Sequence, residues 1–216
     1  AALAKLVCAE MVFRTADRAS ELVRQLLRYA RRDATEARPV DATATVQDSL
    51  ELLRSFIPRS IRFDVKLVAT PATIRVDPRE LEEVLVNLAI NARDAMPDGG
   101  ELEVSVGVDE AAGDDGRVTI TVRDTGCGMD AETRAHIFEP FYTTKGPDHG
   151  TGLGLALVYG IVQRSGGVID VQSEVGKGTR VAISFPLAPR DAALTTTLLP
   201  DDAIPDGVGG LDGDET

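Results

Sequence analysis

A chain of 216 residues with 43% hydrophobic content holds one domain of ordinary size plus appendages, and it can bury a sizeable core although aromatics are only 4% and Trp is missing. Its formal net charge of −12 argues against a nucleic-acid partner, whose phosphates demand a basic face. No run approaches the roughly 18 apolar residues of a membrane span, nothing resembles a signal peptide, and the two cysteines, Cys8 and Cys127, make neither a disulfide framework nor a metal set, so a reducing cytoplasm is expected.

The charge is uneven along the chain. Residues 1–32 carry seven bases against three acids, whereas residues 187–216 carry seven acids against Arg190. The chain opens on Ala1 rather than Met, and we expect a piece of a longer protein. Residues 1–32 contain no Gly or Pro and place Leu6, Ala9, Phe13, Ala16, Ser20, Val23, Leu27 and Ala30 at alternating three and four spacing, which is a heptad seam. Leu22 and Leu26 widen the stripe to one that suits a helical bundle. A lone helix cannot bury such a stripe, so a partner helix is expected, from another chain or from an upstream segment.

Residues 33–41 read as a polar linker broken at Pro39, and Asp41 can cap a helix through about Arg54 with Val46, Leu50 and Leu53 inward. Pro58 ends it. Residues 61–69 read as a strand with Ile61, Phe63, Val65 and Leu67 on one face, and 73–76 as its short neighbour. The clearest helix follows. Asp77 as N-cap, Pro78 at the first helical position and Glu80 three residues after the cap make a capping-box start, and Pro97 with Gly99-Gly100 ends it. At 100° per residue, Leu81, Val84, Leu85, Leu88, Ala92 and Ala95 form a core stripe, while Asn87, Asn91 and Asp94 share one border. Asn costs roughly half a kcal/mol against Ala in a helix interior, so two of them one turn apart point to a groove edge.

Residues 101–108 alternate through Leu102, Val104, Val106 and Val108, GDDG at 113–116 makes a hairpin loop, and RVTITVRD returns with Val118, Ile120 and Val122 on one face. That strand delivers Asp124 into a turn holding Gly126 and Gly128. About 20 residues later Gly150, Gly152 and Gly154 run directly into a helix with Leu153, Leu157, Val158, Ile161 and Val162 at helical spacing. Glycine lets backbone amides approach a ligand, and amides at a helix N-terminus stabilise phosphates. The pair of clusters outlines a nucleotide site. It is not a Rossmann fingerprint, because the third glycine would fall at Leu155, and no P-loop pattern occurs. VIDVQSE and the strand from Gly178 to Phe185 close a sheet with helices on one face.

These residues carry a family resemblance. ELEEVLVNLAINARDAM resembles the N box, DTGCGM the G1 box, FEPFYTTK the F box and GTGLGLALVYGIV the G2 box of sensor histidine kinases, members of the gyrase, Hsp90, kinase and MutL ATP-binding superfamily. GKGTRVAISFPL resembles the closing Gly-x-Gly-Thr box, so all five boxes stand in family order over residues 77–186. The stem ADRASELVRQLLRYARR resembles the second helix of the family's dimerisation and phosphotransfer hairpin.

The resemblance implies an α/β (α+β) two-layer sandwich of the Bergerat ATP-binding type preceded by a long bundle-forming helix. Its parts would be 1–38, an incomplete phosphotransfer hairpin; 39–187, the catalytic domain; and 188–216, an acidic tail or linker. Asp124 would accept a hydrogen bond from the adenine amino group, with Thr179 supporting the same network. Asn91 would supply an oxygen to Mg²⁺ beside the phosphates of ATP, with Asp94 along the same groove. Asn87 stands where hydrolysing branches carry a glutamate, and an amide cannot act as a general base. Gly126, Gly128, Gly150, Thr151, Gly152, Leu153, Gly154 and Leu155 would line the nucleotide, and Lys145, in the lid between the F and G2 boxes, would meet phosphate. Phe138 and Phe141 would pack the lid hinge.

The chain's two histidines, His136 and His149, lie off the stem, and the family's H-[DE]-x-x-N phosphoacceptor is absent from these residues. The expected activity is transfer of the γ-phosphoryl group of ATP to a histidine supplied outside the chain, for relay to a response-regulator receiver aspartate. The expected assembly is a homodimer through the N-terminal helix, within a parent that could be membrane-tethered. Two other readings stay open: a superfamily ATPase, against which Asn87 speaks, and a nucleotide-binding or dimerising module without catalysis.

Overall fold

In-and-out alternation builds a sheet with one apolar face. Along β4 (Gly100–Asp109) and β5 (Arg117–Asp124), Leu102, Val104, Val106, Val118, Ile120 and Val122 are buried while the residues between them are not. The computed structural model describes residues 37–70, 72–109, 116–145 and 150–188; the expected heptad helix, the loop at 110–115 and the acidic tail beyond 188 lie outside them. Five strands form the main sheet in the order β2 (Ile61–Lys66), β4, β5, β7 (Gly178–Pro186) and β6 (Val168–Glu174), with β2 parallel to β4 and the other pairs antiparallel. Helices α1 (Ala42–Phe56), α2 (Pro78–Asp94) and α4 (Gly154–Arg164) cover the apolar face, α2 between the other two, and a short α3 (Ala131–His136) follows β5. The two-layer α/β sandwich expected from the sequence is the observed architecture.

Two elements differ from expectation. Residues Arg38–Asp41, read as linker, form strand β1, and β3 (Thr73–Val76) pairs with it antiparallel rather than with β2. Pro39 is tolerated because this two-stranded ribbon leaves an edge where its missing N–H is not needed. Strand β1 thus starts at Arg38, one residue before the expected boundary at 39. Strand β2 also stops at Lys66 instead of reaching residue 69, and Leu67 and Val68 turn to pack against the core.

Helix starts follow the side-chain chemistry. Asp77 accepts the N–H of Arg79 at 2.6 Å with Pro78 at the first turn, but Glu80 does not complete a capping box: its carboxylate meets Arg164 of α4 at 2.8 Å. The buried face of α2 is Leu81, Val84, Leu85, Leu88, Ala89 and Ala92, and the expected Ala95 is only half-buried while Met96 takes the core position. At about 1.5–3 kcal/mol for each fully buried large side chain, this face fixes the rotation of α2 and so the direction of its polar border. At the start of α1, Asp41 Oδ1 accepts the N–H of Thr43 at 2.9 Å and that of Ala72 at 3.1 Å, joining the helix cap to the β3 entry. We expect Asp41→Ala to lower unfolding free energy by about 1–2 kcal/mol in urea denaturation, since two N–H groups lose their acceptor; an unchanged midpoint would remove this cap from the fold's supports.

Candidate functional site

With α2 held by its apolar face, Asn87, Asn91 and Asp94 line one side of a cavity of about 610 Å³ whose other walls come from the β5 end, the lid stem and the start of α4. Asn87 Nδ2 donates to the carbonyl of Glu83 at 2.8 Å, which aims its oxygen at α4. Helix α4 comes so close that a Cβ on Gly154 would stand 3.0 Å from Asn87 Oδ1. Asn91 lines the cavity, and its side-chain amide has no hydrogen-bond partner among the described residues. Its oxygen is thus available to a hard cation, which takes one or two protein oxygens and completes its shell with phosphate and water. Among the described residues there is no group of three or more His, Cys, Asp or Glu that could hold a metal ion.

Asp124 forms the floor at the end of β5. It is 7% exposed, and its Oδ1 accepts the N–H of Gly126 at 2.8 Å and of Thr179 at 3.2 Å, while Oδ2 has no hydrogen bond among the described residues. Burial pushes this carboxyl above the ordinary aspartate range, and the two N–H donors offset only part of that push. The turn after it is fastened on both sides. Cys127 N–H donates to Ala95 O at 2.9 Å, and Gly176 N–H donates to Cys127 O at 2.7 Å. Gly128 adopts φ +64°, and a Cβ there would lie 2.0 Å from Glu174 O, so only glycine fits between the turn and the β6 end.

Ser173, which sequence reasoning did not select, accepts the N–H of Met129 at 2.8 Å and bonds Thr179 Oγ1 at 3.0 Å. Its place depends on the hairpin register that sets Ser173 opposite Thr179, a long-range fact with no local signal beyond strand alternation.

Lys145 does not stand free over the cavity. Its ammonium lies 2.8 Å from Asp94 Oδ2, and Asp94 Oδ1 receives Arg93 Nε at 2.9 Å and Nη2 at 2.6 Å. Burial alone would raise the Asp94 carboxyl, but the hydrogen bonds from Lys145 and Arg93 outweigh it and hold the group below the usual range. Arg93 escaped the sequence reading because neighbours i and i+1 do not share a helix face, and the long guanidinium folds back at the helix end. Gly150, Thr151, Gly152, Gly154 and Leu155 line the cavity with Gly128 and Thr179. Two selected residues do not. Gly126 acts through its N–H on Asp124, and Leu153 turns its side chain into the core at 4% exposure. At the hinge, Phe138 stacks on Tyr159 with ring centroids 5.0 Å apart, whereas Phe141, expected to fill the hinge, is 60% exposed at φ +68°. His136 pairs with Glu139 at 2.8 Å outside the cavity, and His149 lies outside the described residues.

Residues 76–189 match the family model described as histidine kinase-, DNA gyrase B-, and HSP90-like ATPase. The chain is 40% identical over 181 residues to the sensor kinase CckA of Brucella abortus and 39% identical over 176 residues to the sensor histidine kinase ZraS of Klebsiella oxytoca. The matches take 79% and 81% of this chain but 19% and 37% of those relatives, so the chain spans well under half of their length. Among solved structures, the mycobacterial sensor histidine kinase MprB aligns with TM-score 0.60 at 30% identity, over 71% of this chain and 99% of that one. Full-length ShkA in complex with AMPPNP aligns with TM-score 0.68 at 31% identity, over 81% and 37%. No helix among the described residues is long and apolar enough to cross a membrane.

The buried carboxylate at 124 should cost stability while it is charged. Because its folded pKa lies above the ordinary 3.8, the cost is present at neutral pH and disappears as pH falls through the folded value. Asp124→Asn keeps an acceptor for the two N–H groups and removes the charge, so it should melt above wild type at pH 7 with the gap closing towards acid. Thermal unfolding of both proteins across pH checks this, and a variant that melts lower at pH 7 would show the ionic hydrogen bonds to outweigh desolvation.

Proposed function

Because the chain belongs to the histidine kinase-, DNA gyrase B-, and HSP90-like ATPase family, we propose that its groove binds ATP with Mg²⁺ and that the domain catalyses phosphoryl transfer to a histidine on a partner helix. Asp124 carries this reading: one oxygen is held by two backbone donors and the other is left for a ligand donor in a buried pocket. Such an acceptor suits the amino group of adenine and repels the oxygen that guanine presents there. A charged hydrogen bond contributes about 1.5–3 kcal/mol, enough to set base choice. Thr179 and Ser173 brace the turn that surrounds this edge.

At the other end of the groove, Asn91 offers its side-chain oxygen to the cation, and the first turn of α4 offers unpaired N–H groups to phosphate oxygens. Bound Mg²⁺ would supply charge neutralisation of the phosphates. Asn87, committed through Nδ2 to Glu83 O, orients rather than abstracts a proton. Water is then a poor acceptor, and an imidazole, nucleophilic without a base, is the better one. This weighs against the ATPase reading. In the parent protein we assign the partners as a histidine-bearing dimerisation hairpin completed by the N-terminal helix and a receiver domain that takes the phosphoryl group onto aspartate, in the cytoplasm.

Titration calorimetry should find ATP binding with Mg²⁺ and little GTP binding, and Asp124→Asn should erode that preference by ten-fold or more, about the worth of one charged hydrogen bond. Equal affinity for the two nucleotides would sink the adenine assignment. With radiolabelled ATP the isolated chain should leave ATP mostly intact, and a histidine-bearing bundle added in trans should gain an acid-labile, base-stable phosphoramidate that Asn91→Ala abolishes. Strong labelling of this chain at His136 or His149, or transfer unaffected by Asn91→Ala at saturating Mg²⁺, would refute the assignment of acceptor or of metal ligand respectively.

A further inference from the structure

The cations that line the groove among the described residues are Arg93 and Lys145, and both lie on a single carboxylate, Asp94. The two hold it differently. Arg93 is its sequence neighbour on a rigid helix and binds Oδ1 through two nitrogens, at 2.9 Å and 2.6 Å. Lys145 reaches Oδ2 from 51 residues away with a single ammonium contact of 2.8 Å. In the same segment the Lys145 N–H donates to Thr143 Oγ1 at 3.1 Å, and Gly150 packs against that same hydroxyl. The Lys145–Asp94 contact therefore ties the stem of the lid to α2.

A polyphosphate entering the groove changes the competition for that ammonium. Asp94 offers one negative charge already shared with a guanidinium, whereas a nucleotide triphosphate brings several, of which a bound Mg²⁺ neutralises only part. The side chains of Lys145 and Asp94 are 33% and 25% exposed, so the pair is partly screened and its strength modest. We propose that Asp94 is a positioning residue that holds Lys145 while the groove is empty and yields it to the phosphates of an entering nucleotide, with Arg93 staying behind to neutralise the carboxylate. This rests on the reading of the groove as an ATP site. It also accounts for a carboxylate standing in a phosphate groove, since Arg93 keeps Asp94 from repelling the ligand after Lys145 has left.

The test is a double-mutant cycle by titration calorimetry on the 216-residue chain, with ATP as ligand and adenosine as the phosphate-free control. Asp94→Asn should tighten ATP by about two- to five-fold, the worth of releasing a partly exposed ion pair, and Lys145→Ala should weaken it. In the Lys145→Ala background Asp94→Asn should no longer tighten ATP, and adenosine affinity should be the same in all four proteins. Weaker ATP binding in Asp94→Asn would mean that the carboxylate presents Lys145 to phosphate instead of withholding it. Tightening that persists without Lys145 would reduce Asp94 to simple repulsion of phosphate. Either result overturns the proposal. If Asp94→Asn disturbs adenosine binding, Asp94→Ser replaces it under the same criteria. Wild type that binds neither ligand overturns the nucleotide-site reading and this proposal with it, whereas failure of the cycle alone leaves wild-type ATP binding in place.

Discussion

One oxygen, Asp124 Oδ1, accepts the N–H groups of Gly126 and Thr179 and thereby joins the end of β5, the glycine turn and the start of β7. The site depends on this junction. A carboxylate at 7% exposure is costly when charged, and the two donors recover only part of that cost. The other oxygen has no hydrogen bond among the described residues, and in the proposed complex it would meet the ligand's donor. Around it the turn cannot drift, because Ala95, Ser173 and Gly176 each hold one of its backbone groups.

Helix α2 performs two tasks with one rotation. Its buried face is large and apolar, so packing against the sheet and against α1 and α4 sets its orientation with far more free energy than any polar contact on its border. Asn87, Asn91 and Asp94 are aimed into the groove as a geometric consequence, 100° per residue away from a face fixed elsewhere. Through Ala95 at its C-terminal end the same helix grips the glycine turn, so the turn after Asp124 and the Asn87, Asn91 and Asp94 border are fastened to one rigid element. Catalysis by positioning needs that rigidity more than it needs a reactive side chain.

The electrostatics of the groove are local. In a chain of net charge −12, the proposed polyanionic ligand would be received where Arg93, Lys145, helix N-terminal N–H groups and the open Asn91 amide converge. Coulomb interactions between exposed charges fade over about 10 Å at ordinary ionic strength, so the acidic surface elsewhere does not oppose binding at this spot. Arrangement of a few nearby groups outweighs net charge.

Periodicity and turn chemistry made most of the fold legible in the sequence. The alternation in β4 and β5, the Asp41 and Asp77 caps and the stripe of α2 are local patterns, and the glycine turns and the Asn87, Asn91 and Asp94 border could be located from spacing alone. What failed or stayed hidden depends on contacts between distant segments. The pairing of β1 with β3 hides behind a proline and a polar composition that read as linker. Glu80 pairs with Arg164, 84 residues on, instead of completing the capping box. Ser173 enters the site only through hairpin register, and Arg93 only by folding back at a helix end. Lys145 could be assigned to the lid from sequence, but its partner could not. An ion pair over 51 residues is decided by how tertiary packing brings two charges together, which no local pattern encodes.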